Sequence, residues 1–505
     1  MLRPLALALA ALALLGAGGR AFADPAPVAP RARLDTGVVV GTTEGPARVF
    51  RAIPYAAPPV GALRWRPPQP AARWSGARPA TTDGPACMQA VTPGHYNGGG
   101  YDGPVSEDCL TLDVFAPPTA KKAPVMVWIF GGGNVAGADS IAPNDGRFFA
   151  RDGVVLVAMN YRLGPLGWFA HPALTHEAAA GAPLANYGLM DQIAALKWVK
   201  RNIAAFGGDP DNVTIFGESA GGDDVLTLMT TPAARGLFHK ATVQSGGGWD
   251  PPVSLAQAET AGDALAQKLG LPAGASVDQL RAIAADKLIA AGGRAGPVVD
   301  GRLLTETAEQ GFAHGHQAPV PLIIGSNTWE ASLAPPSSYA AFVARFPPAV
   351  RAAYGDEATA ADPAKLAQDL FTDAVMGAPA RWFARQQAGH GGAWLYEFSY
   401  VRLARKGKIP GANHTSENPY VFDTQMIVPN YSSEIVGADR QVAAFMHSCW
   451  VSFAKTGAPD CAAGGVPWPR YTAASDQLMD FEAPAAIVHA YRKPQLDAVE
   501  AATAP

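Results

Sequence analysis

Charged residues are scarce in this 505-residue chain. Asp, Glu, Lys and Arg make up only 16% of it, against roughly a quarter in an average globular protein. Disorder driven by charge is therefore not expected. The formal net charge is −4, and no long block of Lys and Arg is present. The densest basic stretch, Arg402 to Lys408, is short and typical of a solvated loop, so nucleic acid is not an expected partner.

Long apolar runs are also missing from the body of the chain. No stretch beyond the N-terminus reaches about 18 uninterrupted apolar residues, so no transmembrane segment is predicted. The N-terminus itself carries Arg3, a short apolar run at 5–15 and a small-x-small motif at 21–23. This pattern is typical of a cleavable signal peptide, which we place at residues 1–23. A secreted or periplasmic protein is the expectation.

Cysteine is rare, and its few copies are informative. An even number of cysteines in an exported chain predicts disulfides, and four can pair in three ways. The spacing contains no Cys-x-x-Cys pair, which argues against a zinc site. We expect no metal and no cofactor. The four residues are Cys87, Cys109, Cys449 and Cys461.

The chain does contain a series of continuous apolar runs of strand length. Runs that are apolar on both faces are typical of strands covered by helices on each side. Apolar residues at helical spacing occur between them, over Leu189–Phe206 and again over 221–230. This alternation predicts an α/β protein with a central, mostly parallel sheet flanked by helices. The predicted strands are 37–41, 125–130, 154–159, 213–216, 240–243, 321–324 and 392–396.

The domain organisation follows from the absence of interruptions. We find no internal repeat and no linker that divides the chain, so residues 24–505 are predicted to form a single domain. The Ala-rich helical region 253–320 is expected to be a cap insertion over one end of the sheet.

The sharpest motif is Gly-Glu-Ser-Ala-Gly at 217–221, between a predicted strand and a predicted helix. A serine on such a tight strand-to-helix turn has small neighbours on both sides, and its hydroxyl projects into a cleft. The following helix directs its free N–H groups at the same place, where they favour developing negative charge. Ser219 is therefore the predicted nucleophile.

A second motif, three consecutive glycines at 131–133, directly follows a predicted strand. Glycines let backbone N–H groups face a bound oxygen without interference from a side chain. Acyl transfer needs two or three such donors at the tetrahedral oxyanion, and loss of one costs roughly 3–4 kcal/mol of barrier. Together, the two motifs indicate a site for acyl transfer.

These motifs occur within longer landmarks at 50–59, 106–112, 128–133, 160–162, 186–192 and 206–222. The chain resembles the type-B carboxylesterase/lipase family, which includes the cholinesterases and para-nitrobenzyl esterases, over nearly its whole mature length. The resemblance implies the α/β-hydrolase fold. It also implies serine hydrolysis of a small-molecule carboxylic ester through an acyl-enzyme.

The resemblance also assigns residues. It implies that the oxyanion donors are the N–H groups of Gly132, Gly133 and Ala220. It implies a disulfide between Cys87 and Cys109, after which Cys449 and Cys461 are expected to form the second. It further implies two buried ion pairs, Arg64 with Glu107 and Arg162 with Asp191.

A serine nucleophile needs a base, and the base needs an orienting acid. The residues alone do not rank the ten histidines well, although His414 stands out in a loop before the aromatic segment 419–422, where a solvated surface histidine is the alternative. By family position the base is His414, followed by Thr415 where the family usually has glycine. The acid is Glu330 by the same comparison, and Asp300 is the next candidate. The order nucleophile, acid, base is the one typical of this fold. Ser245 and Glu417 match family positions whose side chains would steady the acid and the base.

Two other functions remain open at this point: a serine amidase or peptidase on the same machinery, and a non-catalytic binding relative. The family commonly has other residues at Phe130 and Asn134, and we expect both to touch the rim of the pocket. Trp249 is a weak candidate for an acyl pocket. A role of the basic stretch 402–408 in meeting an acidic acyl chain is a second weak hypothesis.

Overall fold

The protein is described here from a computed structural model that covers residues 29–91, 101–249, 251–355, 363–429, 431–461 and 466–504. The predicted signal peptide, residues 1–23, lies outside the described residues. Within them, no helix has both the length and the apolarity needed to cross a membrane.

Sixteen strands are present in the described residues, and eleven of them form one large sheet. In chain order the strands are β1 Arg31–Arg33, β2 Val38–Val40, β3 Thr42–Glu44, β4 Ala47–Pro54, β5 Ala77–Pro79, β6 Ala86–Cys87, β7 Val105–Ser106, β8 Thr111–Ala116, β9 Ala123–Ile129, β10 Val155–Met159, β11 Gly208–Glu218, β12 Lys240–Gln244, β13 Leu322–Asn327, β14 Ala393–Phe398, β15 Gln477–Phe481 and β16 Ala486–His489. The order across the large sheet is β16-β15-β14-β13-β12-β11-β9-β10-β8-β4-β3.

The seven central strands of this sheet, from β15 to β10, are mutually parallel. The strands outside them pair antiparallel. The mostly parallel sheet predicted from the apolar runs is therefore confirmed. One run belongs elsewhere, because β2 lies in a separate three-stranded sheet with β1 and β5.

Helices cover the sheet, and four of its central strands, β10, β12, β13 and β14, are buried along their whole length. The α-helices are Arg147–Arg151, Gly164–Gly167, Pro172–Glu177, Tyr187–Asn202, Ala220–Thr230, Leu255–Lys268, Val277–Arg281, Ala285–Ala291, Ala308–Ala313, Tyr339–Ala344, Pro348–Ala352, Pro363–Thr372, Ala378–Gln387, Asn418–Val421, Gly437–Thr456 and Lys493–Thr503. The longest predicted helix is present as Tyr187–Asn202, and its continuation Ile203–Phe206 is a 3₁₀ turn.

The predicted cap region 253–320 contains four of these helices. Three of the four begin with a capping box, at Ser254, Ser276 and Thr307. In each, the capping side chain accepts a hydrogen bond from the backbone N–H of a Gln three residues later, and that Gln side chain accepts one from the backbone N–H of the capping residue. The last, Ala308–Ala313, packs against the helix Ala220–Thr230. That residues 24–505 form a single domain stays a prediction.

Two disulfides and two ion pairs that were expected from the resemblance are present in the structure. Cys87 is bonded to Cys109 and Cys449 to Cys461, so the structure contains the two pairs expected from the resemblance. Arg64 pairs with Glu107 at 2.5 Å. The Arg162 guanidinium is buried and pairs with Asp191, with Nε–Oδ2 at 2.7 Å and Nη2–Oδ1 at 2.8 Å.

Candidate active site

The parallel strands direct the candidate residues to one edge of the sheet. Adjacent strands β9, β11, β12 and β13 are followed at their carboxyl ends by Gly131, Ser219, Ser245 and Glu330, respectively. Ligands of open α/β sheets bind at this edge, because loops from neighbouring parallel strands converge there.

Ser219 lies at the turn between β11 and the helix Ala220–Thr230. Its backbone has φ 55° and ψ −130°, a strained conformation for a residue other than glycine. The flanking glycines explain how the turn closes. A side chain on Gly217 would overlap the carbonyl of Gly221, and one on Gly221 would overlap the carbonyls of Ile129 and Phe130. The motif spacing therefore reflects close approach of three backbone segments.

The predicted oxyanion donors lie beside this turn. Gly132 and Gly133 have φ values of 97° and 64°, which favour glycine. Neither donates its N–H to another described residue. Ala220 is the first residue of the helix, so its N–H has no partner within the helix. Three N–H groups are thus available near the serine.

The structure brings the predicted acid and base into contact. His414 Nδ1 lies 2.6 Å from Glu330 Oε2, and both side chains are buried. The other carboxylate oxygen, Oε1, accepts hydrogen bonds from Ser245 Oγ at 2.5 Å and from the Asn327 N–H at 2.7 Å. The Ser332 hydroxyl accepts a hydrogen bond from the backbone N–H of His414 at 2.9 Å. The imidazole is therefore held by its Nδ1 edge.

The Nε2 edge of His414 meets a residue that the sequence analysis did not single out. It lies 3.0 Å from Glu218 Oε1, and it makes no hydrogen bond to a described residue, Ser219 included. The serine is nevertheless close. Ser219 Cβ and Glu218 Oε2 each lie 2.8 Å from the point where a side chain on Gly131 would begin. The only sequence signal for Glu218 is its place before the serine in the motif.

A third carboxylate completes this buried group. Glu417 Oε2 accepts a hydrogen bond from Asn327 Nδ2 at 2.6 Å, and its Oε1 accepts one from Gln244 Nε2 at 3.3 Å. Asn327 thus links Glu417 to the acid loop through its side chain and its N–H. Glu417 is fully buried, as is Gln244.

Burial and charge act in opposite directions on the imidazole. Burial alone lowers the pKa of His414, but the carboxylates of Glu218 and Glu330 outweigh it, and the pKa is raised well above the ordinary histidine value. Burial raises the pKa of Glu218, an effect that His414 opposes. Burial, followed by the charge of Glu218, raises the pKa of Glu417 to about 8. The site therefore gathers the carboxyl groups of Glu218, Glu330 and Glu417 around one imidazole.

Other predicted residues have different positions. Asp300 accepts backbone hydrogen bonds from Leu184, Leu303 and Leu304, each at 2.9 Å, so its carboxylate holds a loop. Thr415 has φ 71°, which explains why glycine is favourable there.

Of the two expected rim residues, Asn134 borders the cavity that Gly133 also lines. Phe130 does not touch a rim, and that expectation is wrong. Its ring is 1% exposed and stacks on Tyr161 with the ring centres 4.5 Å apart, because it follows a central strand into the core. Trp249 stacks on Phe383 and meets Trp382 edge-on.

Two cavities adjoin the site. One, of about 270 Å³, is bounded by Gly133 and Asn134 and by the cap residues 294–297 and 306–309. The other, of about 310 Å³, has Trp329 and Asn413 in its wall, and these flank the acid and the base.

The basic stretch borders the second cavity through Arg402 and Arg405. The Arg402 guanidinium lies 3.9 Å from the centre of the Tyr431 ring and 2.9 Å from Glu434 Oε2. Lys406 is exposed and 3.7 Å from Glu482. The stretch is thus partly packed and partly solvated.

Comparison with known proteins identifies the family. The model of the carboxylesterase family matches residues 29–499. The chain belongs to the carboxylesterase family. Two relatives are similar to this carboxylesterase over most of its length. The para-nitrobenzyl esterase of Bacillus subtilis (strain 168) is 36% identical over 460 residues, 86% of this chain and 91% of that protein. The fumonisin B1 esterase of Sphingopyxis macrogoltabida is 35% identical over 464 residues, 86% of this chain and 83% of that protein.

Solved structures agree. A para-nitrobenzyl esterase structure superimposes with a TM-score of 0.81 at 33% identity, covering 94% of this carboxylesterase and 100% of that chain. The carboxylesterase EST55 of Geobacillus stearothermophilus gives 0.81 at 32% identity, with 93% and 99% covered. The α/β-hydrolase fold expected from the sequence is confirmed, and the protein is a carboxylic ester hydrolase.

Proposed function

We propose that Ser219, His414 and Glu330 are the nucleophile, base and acid of a two-step ester hydrolysis. The observation that carries this assignment is the 2.6 Å contact between His414 Nδ1 and Glu330 Oε2, while the opposite edge of the imidazole lies 3.0 Å from Glu218, the residue before Ser219. An orienting acid behind the base and a nucleophile before it are the requirements of this chemistry.

In the first step Ser219 Oγ attacks the ester carbonyl carbon, and His414 Nε2 takes its proton. The carbonyl π electrons move to oxygen, and the oxyanion accepts hydrogen bonds from the N–H groups of Gly132, Gly133 and Ala220. When the tetrahedral intermediate collapses, the C–O bond to the alcohol breaks and the imidazolium donates its proton to the leaving oxygen. Glu330 stabilises the imidazolium throughout.

In the second step His414 takes a proton from water, and the hydroxyl oxygen attacks the acyl carbon. Collapse of this second intermediate releases the carboxylic acid and returns the proton to Ser219. The cycle requires Nε2 to face the serine rather than Glu218. This change of partner is local, because Glu218 Oε2 and Ser219 Cβ each lie 2.8 Å from the point where a side chain on Gly131 would begin.

Ser245 and Glu417 have supporting roles in this proposal. Ser245 donates to the Glu330 oxygen that His414 does not contact, which fixes the carboxylate plane. Glu417 accepts a hydrogen bond from the Asn327 side chain, and the backbone N–H of Asn327 donates to the same Glu330 oxygen as Ser245. The ester itself is proposed to extend into the 270 Å³ cavity, since Gly133 belongs to both the cavity wall and the oxyanion site.

The decisive experiment replaces the nucleophile. Ser219→Ala is expected to lower kcat for a short para-nitrophenyl ester by at least about 10⁴-fold, since loss of a triad member leaves only binding and oxyanion stabilisation. Ser337→Ala, an exposed serine, is the control and should retain full turnover. An organophosphate should add to the peptide that contains Ser219 in the wild type and to no peptide in Ser219→Ala. Undiminished turnover, or labelling at another serine, would refute the assignment.

Matched ester and anilide substrates separate the esterase from an amidase on the same machinery. A preference for the ester is the expected result, and equal kcat/KM for the two would favour the amidase.

We also propose that the protein is exported to the periplasm or beyond. The two disulfides support this, because disulfides persist mainly in oxidising compartments. N-terminal sequencing of the protein from its native host should begin near Asp24. A mature chain that begins at Met1 would contradict export by cleavage.

A further inference from the structure

A group of metal-ligating side chains lies outside the catalytic machinery, at the end of the cap region. His314 Nδ1 is 2.9 Å from Glu306 Oε2, and His316 Nδ1 is 2.7 Å from Glu306 Oε1. One ligand atom from each of the three residues lies within 4.8 Å of the other two. Neither imidazole is used in the proposed ester hydrolysis.

The local fold brings these residues together. Thr307 caps the helix Ala308–Ala313, which places Glu306 just before it. After the helix, Gly315 has φ 73° and its N–H bonds to the Phe312 carbonyl, while the His316 N–H bonds to the Gly311 carbonyl at 2.8 Å. These two bonds define a Schellman turn, which reverses the chain after a helix. The two histidines therefore stand on either side of a glycine turn, and both reach the same carboxylate.

The chemistry of the group matches a particular class of ion. Two imidazoles and one carboxylate suit zinc, nickel and copper, whereas calcium and magnesium prefer oxygen ligands alone. The histidine side chains are 59% and 60% exposed, so an ion could reach them and keep water in its remaining positions. A further imidazole is near, because His390 Cε1 lies 3.4 Å from the point where a side chain on Gly315 would begin.

We propose that Glu306, His314 and His316 bind one divalent transition-metal ion, with Zn²⁺ as the reference case. The ion is not part of the hydrolytic mechanism. Its three ligands come from one eleven-residue segment, 306–316, so binding requires only that the imidazoles turn from the carboxylate towards a shared ion. This differs from the expectation of no metal, which rested on cysteine spacing.

The position of the site gives it a structural connection to the substrate cavity. Glu306, Thr307, Ala308 and Glu309 belong to the wall of the 270 Å³ cavity that also includes Gly133. A side chain on Gly311, in the same helix, would begin 3.3 Å from Glu306 Oε1 and 2.6 Å from Thr230 Cγ2, which lies at the end of the helix that follows Ser219. An ion on Glu306 therefore acts on a segment packed between the cavity and the nucleophile helix.

The test measures binding directly on the full mature chain, without a polyhistidine tag and after treatment with a chelator. Titration calorimetry with ZnCl₂ is expected to show one ion bound per chain. The double variant His314→Ala/His316→Ala should lose that binding. Glu306→Gln should weaken it by at least about tenfold, the smaller effect typical of altering one group at a metal site.

The matched control is His176→Ala/His489→Ala, which removes two exposed histidines from elsewhere on the surface. It should bind Zn²⁺ as the wild type does. Equal Zn²⁺ binding by the His314/His316 double variant would overturn the proposal, and so would the absence of binding by the wild type at millimolar Zn²⁺. Since no step of the assay involves an ester, these outcomes are independent of the proposed triad.

Discussion

His414 Nε2 lies 3.0 Å from Glu218 Oε1, so the imidazole is held between two buried carboxylates, Glu218 on one edge and Glu330 on the other. The second contact is what an acid–base pair requires. The first has a different consequence, because it stabilises the charged imidazolium, which is not the form that accepts a proton from Ser219. The protonation state of the proposed base therefore depends on Glu218, the neighbour of the proposed nucleophile.

The pH dependence of hydrolysis should report this arrangement. A base acts when deprotonated, so kcat/KM is expected to rise with pH through the pKa of His414, which its two carboxylates raise above the ordinary value. Glu218→Gln removes one negative charge and should lower this pKa, which moves the rise to lower pH. Stopped-flow rates with a para-nitrophenyl ester between pH 5 and pH 10 provide the measurement. Glu482→Gln, an exposed carboxylate beside Lys406, is the control and should leave the profile in place. An unchanged or upward-shifted profile in Glu218→Gln would contradict the argument.

The Ser245–Glu330 hydrogen bond should matter for rate and not for substrate binding. Hydrogen bonds to charged groups contribute roughly 1.5–3 kcal/mol, so Ser245→Ala is expected to lower kcat by about tenfold or more with little change in KM. The neighbouring strand supplies a matched control. Ser326 Oγ donates to Glu397 Oε2 at 2.9 Å in an equally buried pair outside the site. Ser326→Ala should leave kcat near the wild-type value. Similar kcat values for the two variants would show that Ser245 has only a structural role.

The glycine after the nucleophile turn should be intolerant of any side chain. In Gly221→Ala the added Cβ would overlap the carbonyl oxygens of Ile129 and Phe130, both part of or next to a central strand. We expect loss of activity together with a lower yield of folded protein, measured by circular dichroism and ester turnover. Gly389→Ala has nothing within 4 Å of its added carbon and serves as the control. A fully active Gly221→Ala would mean that the turn is looser than described.

The buried Arg162–Asp191 pair should be costly to break. Asp191→Ala leaves a guanidinium buried without its carboxylate, and such a loss typically destabilises a protein by about 3–5 kcal/mol. A clear drop in the midpoint of urea unfolding is the expected result. Asp211→Ala removes the partner of Lys200 in an exposed pair and should leave the midpoint unchanged. Equal midpoints for Asp191→Ala and the wild type would show that the pair adds no net stability.

The strands and the serine turn could be predicted because their signals are local. Runs such as 125–130 and 213–216 are apolar on both faces, and the strands contain them with shifted ends: β11 begins five residues earlier than expected, at Gly208. The turn was predictable because Gly217 and Gly221 are needed wherever three backbone segments approach closely. Strands near the edges, such as β15 and β16, were not predicted, because each has only two or three consecutive apolar residues.

The proposed acid and base could not be predicted from local sequence signals. The residues distinguish His414 only by its loop, which is more typical of solvated surface, and the family resemblance singled it out together with Glu330. Phe130 shows the limit of the same approach. Its position next to the three glycines predicted a place at the rim of the pocket, whereas the preceding strand directs its ring into the core. The carboxylate of Glu218 could not be placed at all, since the motif requires only some residue at that position.

The sequence by itself determined the class of fold, the strained serine, the glycines around it and the disulfide-bearing, exported character expected of the chain, because each depends on backbone geometry or composition over a few residues. Only the tertiary structure decided which carboxylates surround His414, and that the Glu306 carboxylate contacts both His314 and His316. The carboxylates around His414 come from distant parts of the chain and are brought together by the packing of the sheet and its loops, whereas the Glu306 contacts depend on the turn that follows the helix Ala308–Ala313.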